Sequence, residues 1–164
     1  MGLFQVALII ATFLCSLVAG FLFAFAVVVM PGIKGLNHRG FIRTFQVMDG
    51  IIQNNQPIFV VVWLGSVITL ISAAVFGFEH LNMTGRWLLI FTTLAYLLGV
   101  QLPTFIINIP LNKRLQSLDV DDMDELAIKA ARKEFEVRWN RWNTIRTFLS
   151  CLVSALLIVL VYRY

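Results

Sequence analysis

The sequence predicts an all-α membrane protein: a four-helix transmembrane bundle with an amphipathic cytoplasmic helix in the first loop and a helical extension before the fourth span. Three observations carry the prediction. Hydrophobic residues make up 59% of the chain and charged ones 13%, a balance suited to lipid rather than water. The charges are clustered, leaving 1–33, 50–78, 87–112 and 147–162 without any. These runs lack the alternation of apolar and polar residues that barrel strands show, so helices are left as the structures able to satisfy their own backbone groups in lipid.

The spans are placed near 3–30, 58–78, 87–109 and 143–162, within a single domain covering 1–164. A crossing needs about 20 apolar residues, and the first three charge-free runs exceed that. No Lys or Arg precedes the first span and its uncharged run is too long for a signal core, so it is expected to stay as an anchor. Val6 stands where myristoylation requires Ser or Thr. Pro31 and Gly32 are expected to stop this helix. In the first loop Phe41, Phe45, Met48 and Ile52 recur at helical spacing. That pattern predicts an amphipathic helix over 40–53 lying near the membrane surface, with Arg43, Gln46 and Gln53 on its polar face and Asp49 close by. The run Gln53, Asn54, Asn55, Gln56 then leads to Pro57, which opens the second span. A solvated turn and helix cap accounts for this run as well as a functional role does.

In the third span Gln101, Thr104, Asn108 and Asn112 share one helical face. The amide of Gln101 lies about 10 Å inside the hydrocarbon, counted back from Asn108 at a rise of about 1.5 Å per residue. An unpartnered amide is costly there, so Gln101 is expected to face the bundle interior. As glue between helices it would contribute about 0.6 to 2 kcal/mol. The segment 118–138 alternates acidic and basic blocks and predicts a solvated helix extending the fourth span, capped by Asp119 or Asp121. The fourth charge-free run, 147–162, is too short for a full crossing, which therefore draws Asn143 and Arg146 into the membrane edge. Glu136, Asn140, Asn143, Thr147, Ser150 and Ser154 make a polar stripe, with Trp139, Trp142 and Arg146 on a neighbouring face. Snorkelling to the headgroups explains the tryptophans but not the asparagines, so Arg146 is expected to point inward.

Eleven basic residues fall on the side of the two longer loops and only Arg86 and Arg163 on the other. By the positive-inside rule the longer loops are cytoplasmic and both termini extracytoplasmic, in an inner (plasma) membrane of bacterial type. The net charge of +4 then reflects topology and is no footprint for nucleic acid. Cys15 and Cys151 sit inside spans without paired spacing and are expected to be buried small hydrophobes. His38 and His80 fall on opposite sides, which removes bis-histidine haem ligation and multi-histidine metal sites. No Gly-rich phosphate loop or nucleophile elbow is present.

What remains is a convergence of polar groups at the cytoplasmic ends of the helices. It predicts a polar cavity, walled by some of the chain's 14 Phe. The expected binding residues are Arg43, Gln46, Gln53, Asn54, Asn55, Gln101, Asn108, Asn112, Trp139, Trp142 and Asn143. Expected partners are membrane lipids and a small aromatic or amphiphilic ligand; a homo-oligomer is left open.

The same residues carry a family resemblance. The run Gln53-Asn54-Asn55-Gln56-Pro57, the element Asn108-Ile109-Pro110-Leu111-Asn112 and the stretch Trp139-Asn140-Arg141-Trp142-Asn143-Thr144-Ile145-Arg146-Thr147 together resemble the DUF1772 membrane proteins, over nearly the whole chain. That family includes the fungal anthrone oxygenases, which oxidise a polyketide anthrone to an anthraquinone with molecular oxygen and no evident metal or organic cofactor. The resemblance thus implies no cofactor, and it assigns no catalytic residue.

Two functional readings follow. The first is a cofactor-independent oxygenase acting on a membrane-partitioning phenolic or quinol-like molecule, with Asp49 or Glu136 as base. Arg146, helped by Gln101 and Asn143, would hold the oxyanion, and Trp139 and Trp142 would stack on the rings. The second is a non-catalytic protein whose cavity binds a lipid or amphiphile, or whose polar stripes dock a partner subunit. A transporter is disfavoured, since four short helices leave little room for alternating access.

Overall fold

The computed structural model describes residues 2–164, and these fold as five helices. We number them α1 (Leu3–Lys34), α2 (His38–Gln53), α3 (Pro57–His80), α4 (Met83–Gln116) and α5 (Glu125–Arg163). Four of them, α1, α3, α4 and α5, are long and apolar enough to cross a membrane. The short α2 joins the first pair of spans and sits at one end of the bundle.

Neighbouring spans run antiparallel around a ring in the order α3, α1, α5, α4. The α1–α3, α1–α5 and α4–α5 seams are long. The seam between α3 and α4 is not. These helices meet at their hairpin around Leu81, where Leu81 and Leu89 are buried with Phe4 of α1. Gly77 makes that approach close: a Cβ there would stand 2.6 Å from the Phe4 ring. Toward the α2 end the two helices diverge.

Three prolines lie inside helices that continue past them, contrary to the expectation that Pro31 ends the first helix and that the third closes near 109. Pro31, Pro103 and Pro110 are each preceded by one π-helical turn, Phe25–Val29, Leu97–Gln101 and Thr104–Asn108. A proline ring clashes with the carbonyl four residues back and offers no donor. Widening the turn by one residue moves that carbonyl aside, so the helix survives with a shift of its faces.

Asn37 caps α2, its side chain accepting from the Gly40 N–H at 2.7 Å. The apolar face of α2 packs on protein: Phe41, Ile42 and Phe45 are buried against Phe135 and Trp139 of α5. The cap of α5 is Asp124, which accepts from the Ala127 N–H at 2.8 Å. Asp119, expected as a cap, instead accepts from the Asp121 N–H in a local turn, and Asp121 pairs with Arg43.

The apolar interior is divided in two. One cluster, including Leu8, Cys15, Val18, Leu70, Tyr96, Val153 and Leu157, fills the hairpin end. The other, including Met30, Phe41, Phe45, Ile107, Ile128 and Phe135, fills the α2 end. Cys15 is buried as expected, whereas Cys151 faces outward from the bundle. Between the two clusters lies a belt of buried polar side chains.

Candidate functional site

The belt is built by α4 and α5. Thr104 and Asn108 belong to the π-turn before Pro110, and Asn143 and Arg146 lie one helical turn apart on α5. Arg146 is only 3% exposed. Its Nη1 donates to Thr104 Oγ1 at 2.8 Å and its Nη2 to Asn143 Oδ1 at 3.0 Å. Each acceptor is itself held. The Thr104 hydroxyl donates to the Val100 carbonyl at 2.7 Å, and Asn143 Nδ2 donates to the Leu22 carbonyl of α1 at 3.2 Å. The guanidinium is thereby fixed in orientation, yet among the described residues it has no ion pair, and its Nε has no hydrogen-bond partner. Beside it Asn108 is 2% exposed and makes no protein hydrogen bond through either amide atom.

A cavity of about 330 Å³ opens onto these groups. Its walls include Phe21 and Phe25 of α1, Phe59 and Trp63 of α3, Phe105 of α4 and Trp139 of α5. Phe59 and Trp63 stack at 5.3 Å with their planes 24° apart, and Phe21 meets Phe59 edge-on. The result is a flat-sided aromatic space with polar groups at its ends.

The second polar end is Asp49, on α2. It is 5% exposed and lines the same cavity. Asn112 Nδ2 donates to its Oδ1 at 2.7 Å, and Gln53 Nε2 donates to Oδ2. Trp139 Nε1 donates in turn to Asn112 Oδ1 at 2.8 Å, which fixes the amide so that its NH₂ must face the carboxylate. Burial pushes the Asp49 carboxyl above its ordinary value near 3.8, against the opposing pull of the hydrogen bonds from Gln53 and Asn112. Thr104 and Asn112, which hold the cationic and acidic ends, are separated by about 12 Å along α4 at a rise of about 1.5 Å per residue.

Of the residues singled out in the sequence, Asp49, Asn55, Asn108, Asn112, Trp139, Asn143 and Arg146 line this cavity. Gln53 reaches it through Asp49, and Gln101 borders it by accepting from Trp63 Nε1 at 2.8 Å. The others point elsewhere. Glu136 is outside the cavity and accepts from Arg132 Nε at 2.8 Å. Arg43 pairs with Asp121, and Gln46 donates to the carbonyls of Leu115 and Leu118, both at 2.9 Å. Asn54 is exposed in the turn after α2, and Trp142 packs beside the apolar cluster at the α2 end. Phe21, Phe25, Phe59 and Trp63 went unnoticed in the sequence. Trp63 carried one usable signal: an indole N–H among the apolar residues of a span requires an acceptor. Among the described residues no three His, Cys, Asp or Glu side chains come together to hold a metal ion.

Fold and site define an integral membrane protein: an all-α bundle of four spanning helices with an aromatic cavity, polar at both ends, within one half of its length. A family model described as anthrone oxygenase matches residues 56–156, which takes in α3, α4 and the Asn143–Arg146 part of α5. The chain belongs to the anthrone oxygenase family. No curated protein and no solved structure matches it.

Proposed function

We propose that the chain is an oxygenase that takes an anthrone-like or other phenolic, quinol-like substrate from the membrane and oxidises it with molecular oxygen, without a cofactor. The observation that carries this reading is the buried, oriented and unpaired guanidinium of Arg146 facing an aromatic cavity. A buried cation without a counterion is costly. It becomes favourable when negative charge develops on an oxygen bound beside it, and Asn108 offers a further unpaired N–H at the same place. The cavity is near the small end of the range for small-molecule sites, about 300 to 1,000 Å³. It suits a few fused rings and not a lipid with two acyl chains.

In an anthrone the methylene opposite the carbonyl is acidic, because losing its proton makes the central ring a phenolate. Asp49 takes that proton, and the electron pair delocalises onto the carbonyl oxygen held by Arg146. Oxygen accepts the electrons and bonds to the former methylene carbon. The peroxide so formed takes the proton back from Asp49, and the hydroperoxide loses its remaining C–H hydrogen with the outer OH as water to leave a second carbonyl. The balance is one methylene and one O₂ converted to one carbonyl and one water. Glu136, turned away and paired with Arg132, takes no part in this scheme. Phe59, Trp63 and Trp139 supply the stacking faces. On the distribution of basic residues, the cavity belongs to the cytoplasmic half of an inner membrane, with both termini outside.

The test is oxygen uptake by the purified protein with anthrone as substrate. Arg146→Gln is expected to lower kcat by about 10²- to 10³-fold, and Asp49→Asn to lower kcat/KM by about 10²- to 10⁴-fold. Both variants must remain monodisperse and helical. Uptake unaffected by either change would remove these roles. Tight binding of anthrone with no uptake would leave the cavity as a non-catalytic site for an amphiphile.

A further inference from the structure

We infer that the gap between α3 and α4 is a lateral port through which a flat aromatic ligand passes from the bilayer into the cavity; the inference rests on the cavity being the substrate site. Both helices contribute consecutive turns to its wall, Phe59, Val60, Trp63 and Leu64 from one and Thr104, Phe105 and Asn108 from the other. They do not close on each other at this level. Trp63 and Gln101 meet at the vertex of the divergence, and their hydrogen bond forms the floor of the opening. Leu64 and Phe105 stand at its rim, 52% and 55% exposed, on surface that faces lipid once the bundle is in a membrane.

Two other sides are closed. Along α1 and α5 the seam is continuous, and Asn143 bonds across it to Leu22. At the α2 end the roof is latched. Gln46 donates to the carbonyls of Leu115 and Leu118, Gln116 Nε2 returns a bond to the Gln46 carbonyl at 2.9 Å, and Arg39 donates to the Met123 carbonyl at 2.8 Å. These ties join α2 to α4 and the loop after it. A ligand arriving from water between α2 and α4 would have to break them, whereas one dissolved in lipid meets the apolar rim of Leu64 and Phe105.

The depth agrees with such a ligand. Phe59 to Leu64 fall in the first two turns of α3, within about 11 Å of its start at a rise of about 1.5 Å per residue. In a hydrocarbon core about 30 Å thick, that places the port in one leaflet, close to the headgroups, where aromatic amphiphiles collect.

The test follows binding without oxygen, so that it is independent of turnover. The protein in lipid nanodiscs is mixed with vesicles carrying anthrone, and association is timed from the ligand's own emission. Leu64→Trp and Phe105→Trp are expected to slow association about tenfold and to change the equilibrium affinity much less, since they narrow the rim and not the floor. The pair Arg39→Ala with Gln116→Ala, which loosens the roof, is expected to leave the rate as in wild type. Slowed association in a protein that never consumes oxygen would remove the oxygenase reading and keep the port. Unchanged rates in both rim variants overturn the port even where turnover is robust. Faster association on loosening the roof, or no uptake of bilayer-held anthrone by the wild type, overturns it too.

Discussion

Two side chains of opposite charge mark the polar ends of the cavity, and each is held in the manner its proposed role requires. Arg146 is clamped by Thr104 and Asn143 and, among the described residues, makes no ion pair with a carboxylate. Asp49 accepts bonds from two amides and no cation. The carboxyl is therefore raised by burial while Gln53 and Asn112 hold it down. The sign for activity follows: a base works only when ionised, so kcat/KM rises with pH through an acid limb lying above 3.8, the ordinary value for this group. Asn112→Ala removes one donor to the ionised form and is expected to move the limb to still higher pH. A pH profile of kcat/KM for both proteins checks this; a limb at or below 3.8, or one that Asn112→Ala leaves in place, would rule Asp49 out as the base. Thr104, Asn143 and Arg146 were legible in the sequence because a polar group in an apolar span contrasts with its surroundings and must face inward, and Asp49 because it lies beside the polar face of an amphipathic helix. Phe21, Phe59 and Trp63 gave little contrast, since an aromatic in a hydrophobic run looks the same whether it touches lipid or ligand.

At the scale of elements, the spans could be read from the charge-free runs, but their ends could not, because propensity treats proline as a stop. Three π-turns carry α1 and α4 past Pro31, Pro103 and Pro110, and Phe25, Thr104 and Asn108, all in the cavity wall, lie within two of those turns. Lengthening the helices this way also brings the end of α1 within reach of α5. There Arg132, 8% exposed, donates Nη1 to the Leu36 carbonyl at 2.8 Å and Nη2 to the Lys34 carbonyl at 2.7 Å. Its Nε binds Glu136, and its plane lies 4.3 Å over the Phe41 ring. One guanidinium thus caps the end of α1 through the carbonyl of its last residue and one in the loop beyond, where a cation is favoured by the helix dipole, and joins α1, α2 and α5. Nothing in the alternating charges of the 118–138 segment distinguished Arg132 from its solvated neighbours. Arg132→Ala strands Glu136 and two carbonyls, and is expected to cost about 2 to 4 kcal/mol. Arg132→Lys should recover less than half of that, because an ammonium cannot reproduce the planar fork. Thermal unfolding in detergent measures both. A loss below about 0.5 kcal/mol for the alanine variant, the size of an ordinary surface substitution, would show that the cap does not hold the elements together.

For the whole molecule, the contacts at the two ends decide which loops share a side. Arg132 reaching Lys34, Arg39 reaching Met123 and Arg43 pairing with Asp121 tie the segment around α2 to the start of α5 and the loop before it. At the opposite end Tyr164 donates to Asn82 at 2.7 Å, and Gln5 donates to the Tyr164 carbonyl. Most of the 13 basic residues lie at the α2 end. Arg132 and Arg146 are buried and contribute less to the charge seen by the membrane, but Lys34, Arg39, Arg43, Lys113, Arg114, Lys129, Lys133, Arg138 and Arg141 remain against Arg86 and Arg163. From an imbalance of that size, in loops this short, we propose that the bundle lies with the α2 end in the cytoplasm. The cavity and its port would then open on the inner leaflet. Single cysteines at Glu79 and Lys113, both exposed and at opposite ends, read the orientation in intact cells. A membrane-impermeant maleimide is expected to label Glu79→Cys directly and Lys113→Cys only after the cells are opened, with unmodified protein as the background for Cys15 and Cys151. Labelling of Lys113→Cys from outside would invert the bundle and place the port in the outer leaflet, so that a substrate made in the cytoplasm would have to cross the bilayer before it could be bound.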